Sequence, residues 1–385
     1  MVVLLLTIFI DLVGFGIILP ILPFFAQAYD ASPLQITLLV STHSGAQIIS
    51  SVFWGRLSDR YGRKVILLLT LTGGAVAYVW FGFAGSLVSL FLARGFSGVM
   101  AGNIAVAQAY LADISTPEER AGAMGKLGAA FGLGFVVGPA LGALLIGNDP
   151  SAADFARPCL VAAAISIVAV PLGYFLLQEP ERRSRKSTGL SSFGELRAAV
   201  LGNGIPNIIG LNLLVTLSFT TLMALFPLWS QAQLGWGPRE VSFAYAYIGL
   251  LAAFMQGGLV GPMTTAWGGP RVLFLGAVAL STGLSSIAFV DTVAAFALNT
   301  ILLCMGTSFC HPTLTAMISQ RAVVEYQGTV MGTANSVGSM GRIIAPPVGG
   351  LLFMQVGPNW PMLLAGLLML PVAVAAAWMS LRWAR

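Results

Sequence analysis

Asp11 is the first residue in this chain that could do chemistry, because it lies inside the apolar run Val2–Ala26. A charged carboxylate there is costly unless it is hydrated, paired or protonated. One that alternates between dry and polar surroundings can load and release a proton. A hydrogen bond that merely packs helices is the plainer reading of the same residue. Arg94 sits in a later apolar run and cannot shed its charge. It needs an anion: Asp11, a carboxylate on a bound molecule, or backbone carbonyls. Arg342, close to Pro346, poses the same problem. It can bind an anionic group of a substrate, snorkel, or pair locally. His43 and His311 stand singly, and Cys159, Cys304 and Cys310 lack metal-type spacing, so no metal site is expected. His311 reads as a hydrogen-bonded core histidine or as a second proton carrier.

The densest charge lies in Gly55-Arg56-Leu57-Ser58-Asp59-Arg60-Tyr61-Gly62-Arg63-Lys64, between apolar runs at 34–54 and 65–84. A segment so short and so charged is expected to be a tight polar hinge, with Gly55 and Gly62 permitting the turn. It belongs on the side of a bilayer that tolerates Lys and Arg.

These residues need apolar elements to hold them, and the composition supplies little else. Of 385 residues, 57% are apolar and 9% charged, far below the roughly 25% charged residues of a soluble domain. Twelve runs recur, at about 2–27, 34–54, 65–84, 87–112, 121–147, 155–178, 206–232, 240–262, 271–290, 293–319, 328–356 and 360–381. Their length favours membrane helices over alternating barrel strands. Val2–Ala26 ends in no small-residue cleavage site and reads as a span, not a removable signal peptide.

Fifteen of the nineteen Lys and Arg fall in one set of loops and ends, whereas the opposite loops hold only Arg157 and Arg239. Both termini are therefore expected in the cytoplasm. The net charge of +5 follows from this topology, and no nucleic-acid partner is expected. The one long polar segment, Gln178–Gly204, carries Arg182-Arg183-Ser184-Arg185-Lys186. It reads as a solvated connector or a lipid-headgroup contact, with a short surface helix over 191–201.

That connector separates halves that look alike. Ile21-Leu22-Pro23 recurs as Leu225-Phe226-Pro227, Gly55…Gly62 as Gly261…Gly268, and Gly138-Pro139 as Ala345-Pro346, at offsets of 204, 206 and 207. Domains of 1–178 and 206–385 are expected around a linker of 179–205. Two six-helix bundles of one orientation imply a pseudo-twofold axis along the membrane normal and a site between them. The second copy of the charged segment has Thr265 for Asp59 and Gly269 for Arg63, which concentrates any switching work in the first half.

The charged decapeptide resembles the loop between helices 2 and 3 of the major facilitator superfamily. Asp11-Leu12-Val13-Gly14-Phe15-Gly16 through Pro23 is similar to the helix 1 motif of its drug:proton antiporters, and Leu92-Ala93-Arg94-Gly95 to their helix 4 motif. Gly134-Phe135-Val136-Val137-Gly138-Pro139-Ala140-Leu141-Gly142 looks like the helix 5 motif tied to antiport. Among these the twelve-helix tetracycline-efflux group looks most similar. The resemblance implies an all-α major facilitator fold and proton-driven export of amphipathic small molecules or drugs across the cytoplasmic membrane by alternating access.

It also implies proton coupling through Asp11 and Arg94, on adjacent helices, without any cofactor beyond the proton gradient. It places a conformational latch at Gly55, Asp59, Gly62, Arg63, Glu118 and Arg120, with Asp59 facing helix 11. The glycines of helix 5 would form a close-packed interface between the halves, and Pro139 can bend the helix. Tyr78, Gln108, Asn212, Gln256, Asn299, His311, Asn335 and Arg342 are the expected polar contacts of the substrate cavity. The acidic residues that tetracycline exporters carry in helices 3 and 9 are missing here, where Ala75–Tyr78 and Ala279–Ser286 stand. A cation–metal chelate is therefore a doubtful substrate. A carrier for a metabolite, nutrient or lipid-linked substrate is the alternative. No catalytic grouping suggests an enzyme, and a monomer in the bilayer is expected.

Overall fold

A computed structural model describes residues 1–116, 119–147, 150–180, 200–202, 204–323 and 326–383. Among them there is no strand, and twelve helices are long and apolar enough to cross a membrane. We number these α1 (Val2–Gln27), α2 (Pro33–Tyr61), α3 (Arg63–Gly82), α4 (Leu87–Ile114), α5 (Arg120–Leu145) and α6 (Ala156–Leu176). The second set is α7 (Ile205–Leu234), α8 (Pro238–Trp267), α9 (Gly269–Ser286), α10 (Val293–Arg321), α11 (Gln327–Gln355) and α12 (Trp360–Leu381). The chain is a multi-pass membrane protein. The basic run of the linker and most of the expected surface helix lie outside the described residues, as does Glu118.

Local chemistry sets the helix ends. Ser32 caps α2: its Oγ accepts from Gln35 N, and Gln35 Oε1 accepts from Ser32 N. Ser86 and Thr292 accept from the third backbone N–H of α4 and α10. The expected polar hinge after the second span is much shorter than the sequence suggests. The helix of α2 runs through Asp59 and Arg60 to Tyr61, and α3 begins at Arg63. Gly62 alone makes the break, at φ +109° and ψ 147°, a conformation nearly confined to glycine. Gly55 lies inside α2 and turns nothing. The charged segment is thus helical, and it prolongs two spans beyond their apolar windows.

Two spans are interrupted. The helical segments of α4 end at Met100 and resume at Asn103. At the junction a Cβ on Gly102 would meet Trp54 Cδ1 at 2.7 Å and Ser50 Oγ at 2.8 Å. Only glycine lets α2 come so close. In α8, Met255–Leu259 forms a π-helical turn, a local widening that often marks functional positions.

The chain divides into two compact units. The first holds α1–α6 together with Gly235–Leu250; the second holds α7, α8 from Leu251, and α9–α12. Within the first unit α1 lies along α5 and α6, α2 along α4, and α3 along α6. Within the second, α7 lies along α11, and α9 along α10 and α12. The pairings 1–5 and 3–6 therefore recur as 7–11 and 9–12, which is the sequence repeat expressed as packing.

Candidate functional site

Asp11 sits on α1, and its Oδ2 accepts a hydrogen bond of 2.9 Å from Asn103 Nδ2. The break in α4 makes this contact possible, because Asn103 is the first residue of the resumed helix. A Cβ on Gly74 would lie 3.6 Å from Asp11 Oδ1, so α3 approaches that side closely. Asn103 is buried, and its own Oδ1 has no hydrogen-bond partner. The acid is therefore held by a neutral amide with one unused acceptor.

Arg94 is 2% exposed, yet it does not pair with Asp11. The expected ion pair is absent: Asp11 is hydrogen-bonded by Asn103, and the Arg94 guanidinium lies over the face of Phe15. Its Cζ lies 5.5 Å from that ring's centroid, a cation–π contact. Tyr78 is buried on Gly14 and lies within Coulombic reach of both Asp11 and Arg94. His43 bonds the Arg94 backbone and packs on Phe15 at 5.4 Å between ring centroids. Arg94 Nε and His43 Nδ1 are both buried without hydrogen-bond partners. Four helices, α1 to α4, thus bring Asp11, Phe15, His43, Tyr78, Arg94 and Asn103 together.

The glycine motif of α5 supports this arrangement from behind. A Cβ on Gly134 would meet Leu12 Cβ at 2.6 Å, one on Gly138 would meet Val13 O at 2.6 Å, and one on Gly142 would meet Ile17 O at 3.2 Å. Pro139 Cδ lies 3.0 Å from the position of a Cβ on Gly16. Where a close-packed interface between the halves is expected, the motif's glycines themselves pack α5 against α1, while its Phe135 O would lie 2.9 Å from a Cβ on Gly249 of α8. The four-residue spacing aligns one bare stripe, and that stripe faces the segment of α1 that carries Asp11. A Cβ on Gly128 or on Gly132 would meet nothing within 4 Å.

A second polar cluster forms where α2 ends and α3 begins. Arg63 Nη2 pairs with Asp59 Oδ1 at 2.5 Å, Arg63 Nε with Asp113 Oδ2 at 2.9 Å, and Arg63 Nη1 donates to Ser58 Oγ at 2.6 Å. Glu179, just past α6, accepts from the backbone N–H of Arg63 at 2.5 Å and of Lys64 at 2.9 Å. Its carboxylate closes the open end of α3. Asp113 and Glu179 were not singled out from the sequence. The available signal was an acid at the end of each of two spans on the basic side. A Cβ on Gly55 would meet nothing within 4 Å, its carbonyl accepts from Ser58 Oγ at 2.7 Å, and Glu119 N–H donates to Thr116 Oγ1 locally. The side chain of Arg120 is outside the described residues. A cavity of about 740 Å³ opens at this end, lined by Tyr110, Glu119, Lys126 and Glu179 among others, and Asp11 and Arg94 are not among its lining residues.

The remaining cavity candidates separate. Gln108 on α4, Gln256 in the π turn of α8 and Asn335 on α11 are exposed, while Asn212 on α7 is half-buried. Asn299 is no free contact. It is buried and donates to Gly283 O at 3.1 Å and Ser286 Oγ at 2.7 Å, fastening α10 to α9. An amide facing an open backbone carbonyl on the next helix becomes a fastening, which a lone sequence position does not reveal. His311 packs edge-on to Phe219, and Arg342 donates to Ser339.

Comparison with known proteins fits this arrangement. The sequence profile described as Major Facilitator Superfamily matches residues 4–258 and 208–384. Multidrug resistance protein 2 of Bacillus subtilis is 29% identical over 96% of this chain and 92% of its own length. The class C tetracycline resistance protein of Escherichia coli is 27% identical over 94% and 91%. A bacterial homologue of the human lysosomal transporter Spinster shares the fold, with a TM-score of 0.82 and 13% identity over 98% of this chain and 96% of that one. A human organic anion transporter gives a TM-score of 0.70 and 21% identity over 97% and 98%.

Proposed function

The chain belongs to the Major Facilitator Superfamily, and from that premise we propose that this membrane transporter exports amphipathic small molecules in exchange for protons. The names of its multidrug and tetracycline relatives support export as the direction. The basic loops support a cytoplasmic membrane location with both termini inside.

One observation carries the coupling: among the described residues, the intramembrane carboxylate of Asp11 has the amide of Asn103 as its one hydrogen-bond partner. An amide can serve both protonation states of its partner. It donates through Nδ2 to the carboxylate, and by turning over it offers Oδ1 to the carboxylic acid O–H. That oxygen is buried and unpartnered, so turning the amide over exchanges the Nδ2 bond for one from the acid O–H and breaks no bond of Oδ1 itself. Arg94 makes no ion pair with Asp11, and the buried Tyr78 lies within Coulombic reach of both. The packing of α5 on α1 holds Asp11 in register. The Arg63 cluster acts as the switching element of the cycle, with Asp59 its exposed member.

The test uses purified protein in liposomes with an imposed pH difference and a panel of amphipathic fluorescent compounds. Compound-dependent collapse of the pH difference is expected, together with uphill movement of the compound. Movement that ignores the pH difference would refute coupling.

A further inference from the structure

Asp11 and Arg94 account for proton handling in the first unit, but Arg342 in the second has no such partner. It sits in the middle of α11 and is exposed. A guanidinium at that depth is unfavourable against lipid unless it faces water or an anion. No ion pair involves it among the described residues. The sequence explains why. After Glu240 the only acids are Asp291, between α9 and α10, and Glu325, outside the described residues. The second unit offers no intramembrane carboxylate to neutralise it.

The surroundings are arranged around this cation. Asn335, Ser339 and Arg342 follow one another at four and three residues, so they share a face of α11. Ser339 Oγ donates to Asn335 O at 2.8 Å and accepts from Arg342 Nη2 at 2.5 Å, which fixes the guanidinium along that face. His311 of α10 lies within Coulombic reach of Arg342, and its Nε2 is buried without a hydrogen-bond partner. Phe219 of α7 meets the His311 ring edge-on, with centroids 5.6 Å apart. Asn212 reaches the same helix beside Gly338, whose Cβ would lie 3.7 Å from Asn212 Nδ2.

We propose that Arg342, with Ser339 and His311, forms an anion subsite in the second unit, and that this transporter's substrates carry a carboxylate on an aromatic or apolar skeleton. The planar guanidinium takes a carboxylate through two parallel N–H donors, and a lysine could not do so. The unsatisfied His311 nitrogen provides a further contact, and Phe219 offers an apolar edge to the skeleton. The inference deepens the export reading and rests on it for the word substrate, but binding itself can be measured without any gradient.

The test compares tetramethylrhodamine, which bears a free carboxylate, with its methyl ester, by fluorescence anisotropy on the purified protein in detergent. The wild type should bind the acid at least about ten-fold more tightly than the ester, as a charge-assisted bidentate contact warrants. Arg342→Gln should bring that ratio to near one, Arg342→Lys should recover only part of it, and Ser339→Ala should lower it less. Ser339→Ala also keeps the question open to measurement if a change at Arg342 prevents folding. A wild-type ratio near one overturns the subsite, and so does an unchanged ratio in Arg342→Gln or, should that fail to fold, in Ser339→Ala. If the ratio behaves as expected while no pH-driven export occurs, the subsite stands and the export reading falls.

Discussion

The junction between α2 and α3 and its counterpart between α8 and α9 have the same backbone and different chemistry. Gly62 and Gly268 both take positive φ, +109° and +80°, and each starts the next helix within one residue. In the first unit the exposed N–H groups of α3 are met by Glu179, and Arg63 gathers Asp59, Asp113 and Ser58. In the second unit Pro270 occupies the first turn of α9, which removes one N–H that would need a partner. Thr265 and Gly269 stand where Asp59 and Arg63 would be. The contrast teaches that the shape of the junction does not depend on its charges. The charges of the first copy are not what makes the turn. The intramembrane groups divide likewise: the first unit has an acid and a cation with neutral neighbours, and the second has a cation alone.

The largest expected effect breaks this division at Asp11. Asp11→Asn keeps the shape and the contact with Asn103 but removes the titratable group. Gradient-driven export in liposomes should fall to the level of protein-free liposomes, with the purified protein still folded and monodisperse. Export that continues at the wild-type rate would return Asp11 to a packing role.

How much of this could be seen in the sequence depends on the range of the interaction. Twelve spans follow from the apolar runs, because burial in lipid is decided residue by residue along the chain. Asp11, Arg94 and Arg342 stand out for the same reason: a charge in an apolar run needs no partner to be conspicuous. What those charges touch was not visible. Asn103 lies 92 residues from Asp11 and meets it only because α4 breaks at Gly102. Glu179 lies 116 residues from Arg63. Asn299 reads as a cavity contact in the sequence, but its amide donates to Gly283 O and Ser286 Oγ. The glycine stripe of α5 announced a close approach but not its partner, and a bare stripe is the same whichever helix lies on it. Gly55 beside charges resembles a turn, yet the helical hydrogen bonds of α2 continue past it.

A second prediction sharpens the comparison of the two junctions. Gly62→Ala and Gly268→Ala each force a side chain into a conformation that disfavours it, costing roughly 1–3 kcal/mol. At Gly62 the new Cβ would also lie 2.9 Å from the Glu179 carboxylate. Gly62→Ala should therefore lower thermal stability in detergent more than Gly268→Ala does. Combining it with Glu179→Ala should recover part of the difference, a coupling a double-mutant cycle measures directly. Equal losses at the two glycines, with no coupling to Glu179, would mean that the carboxylate is not seated on α3.

The smallest expected effect on stability lies at Asp59, and it bears most directly on what the charges of the first junction are for. Asp59 and Asp113 share Arg63, but in different surroundings. The Asp59 side chain is 64% exposed, that of Asp113 30%, and that of Arg63 14%. An exposed ion pair is worth under about 1 kcal/mol because water screens it. A hydrogen bond to a charged group in a drier setting is worth about 1.5–3 kcal/mol. Asp113→Asn should therefore lower the melting temperature in detergent clearly, and Asp59→Asn hardly at all. If Asp59 has a task in the transport cycle, its loss should slow export in liposomes while the melting temperature stays near that of the wild type. The second unit points the same way, since Thr265 at the matching position lies on a helix that forms without an acid there. Should Asp59→Asn destabilise the protein as much as Asp113→Asn, both acids are anchors of Arg63 and the switching role is lost. Should it change neither stability nor export, the charged junction serves topology alone, and the difference between the two copies has no bearing on transport.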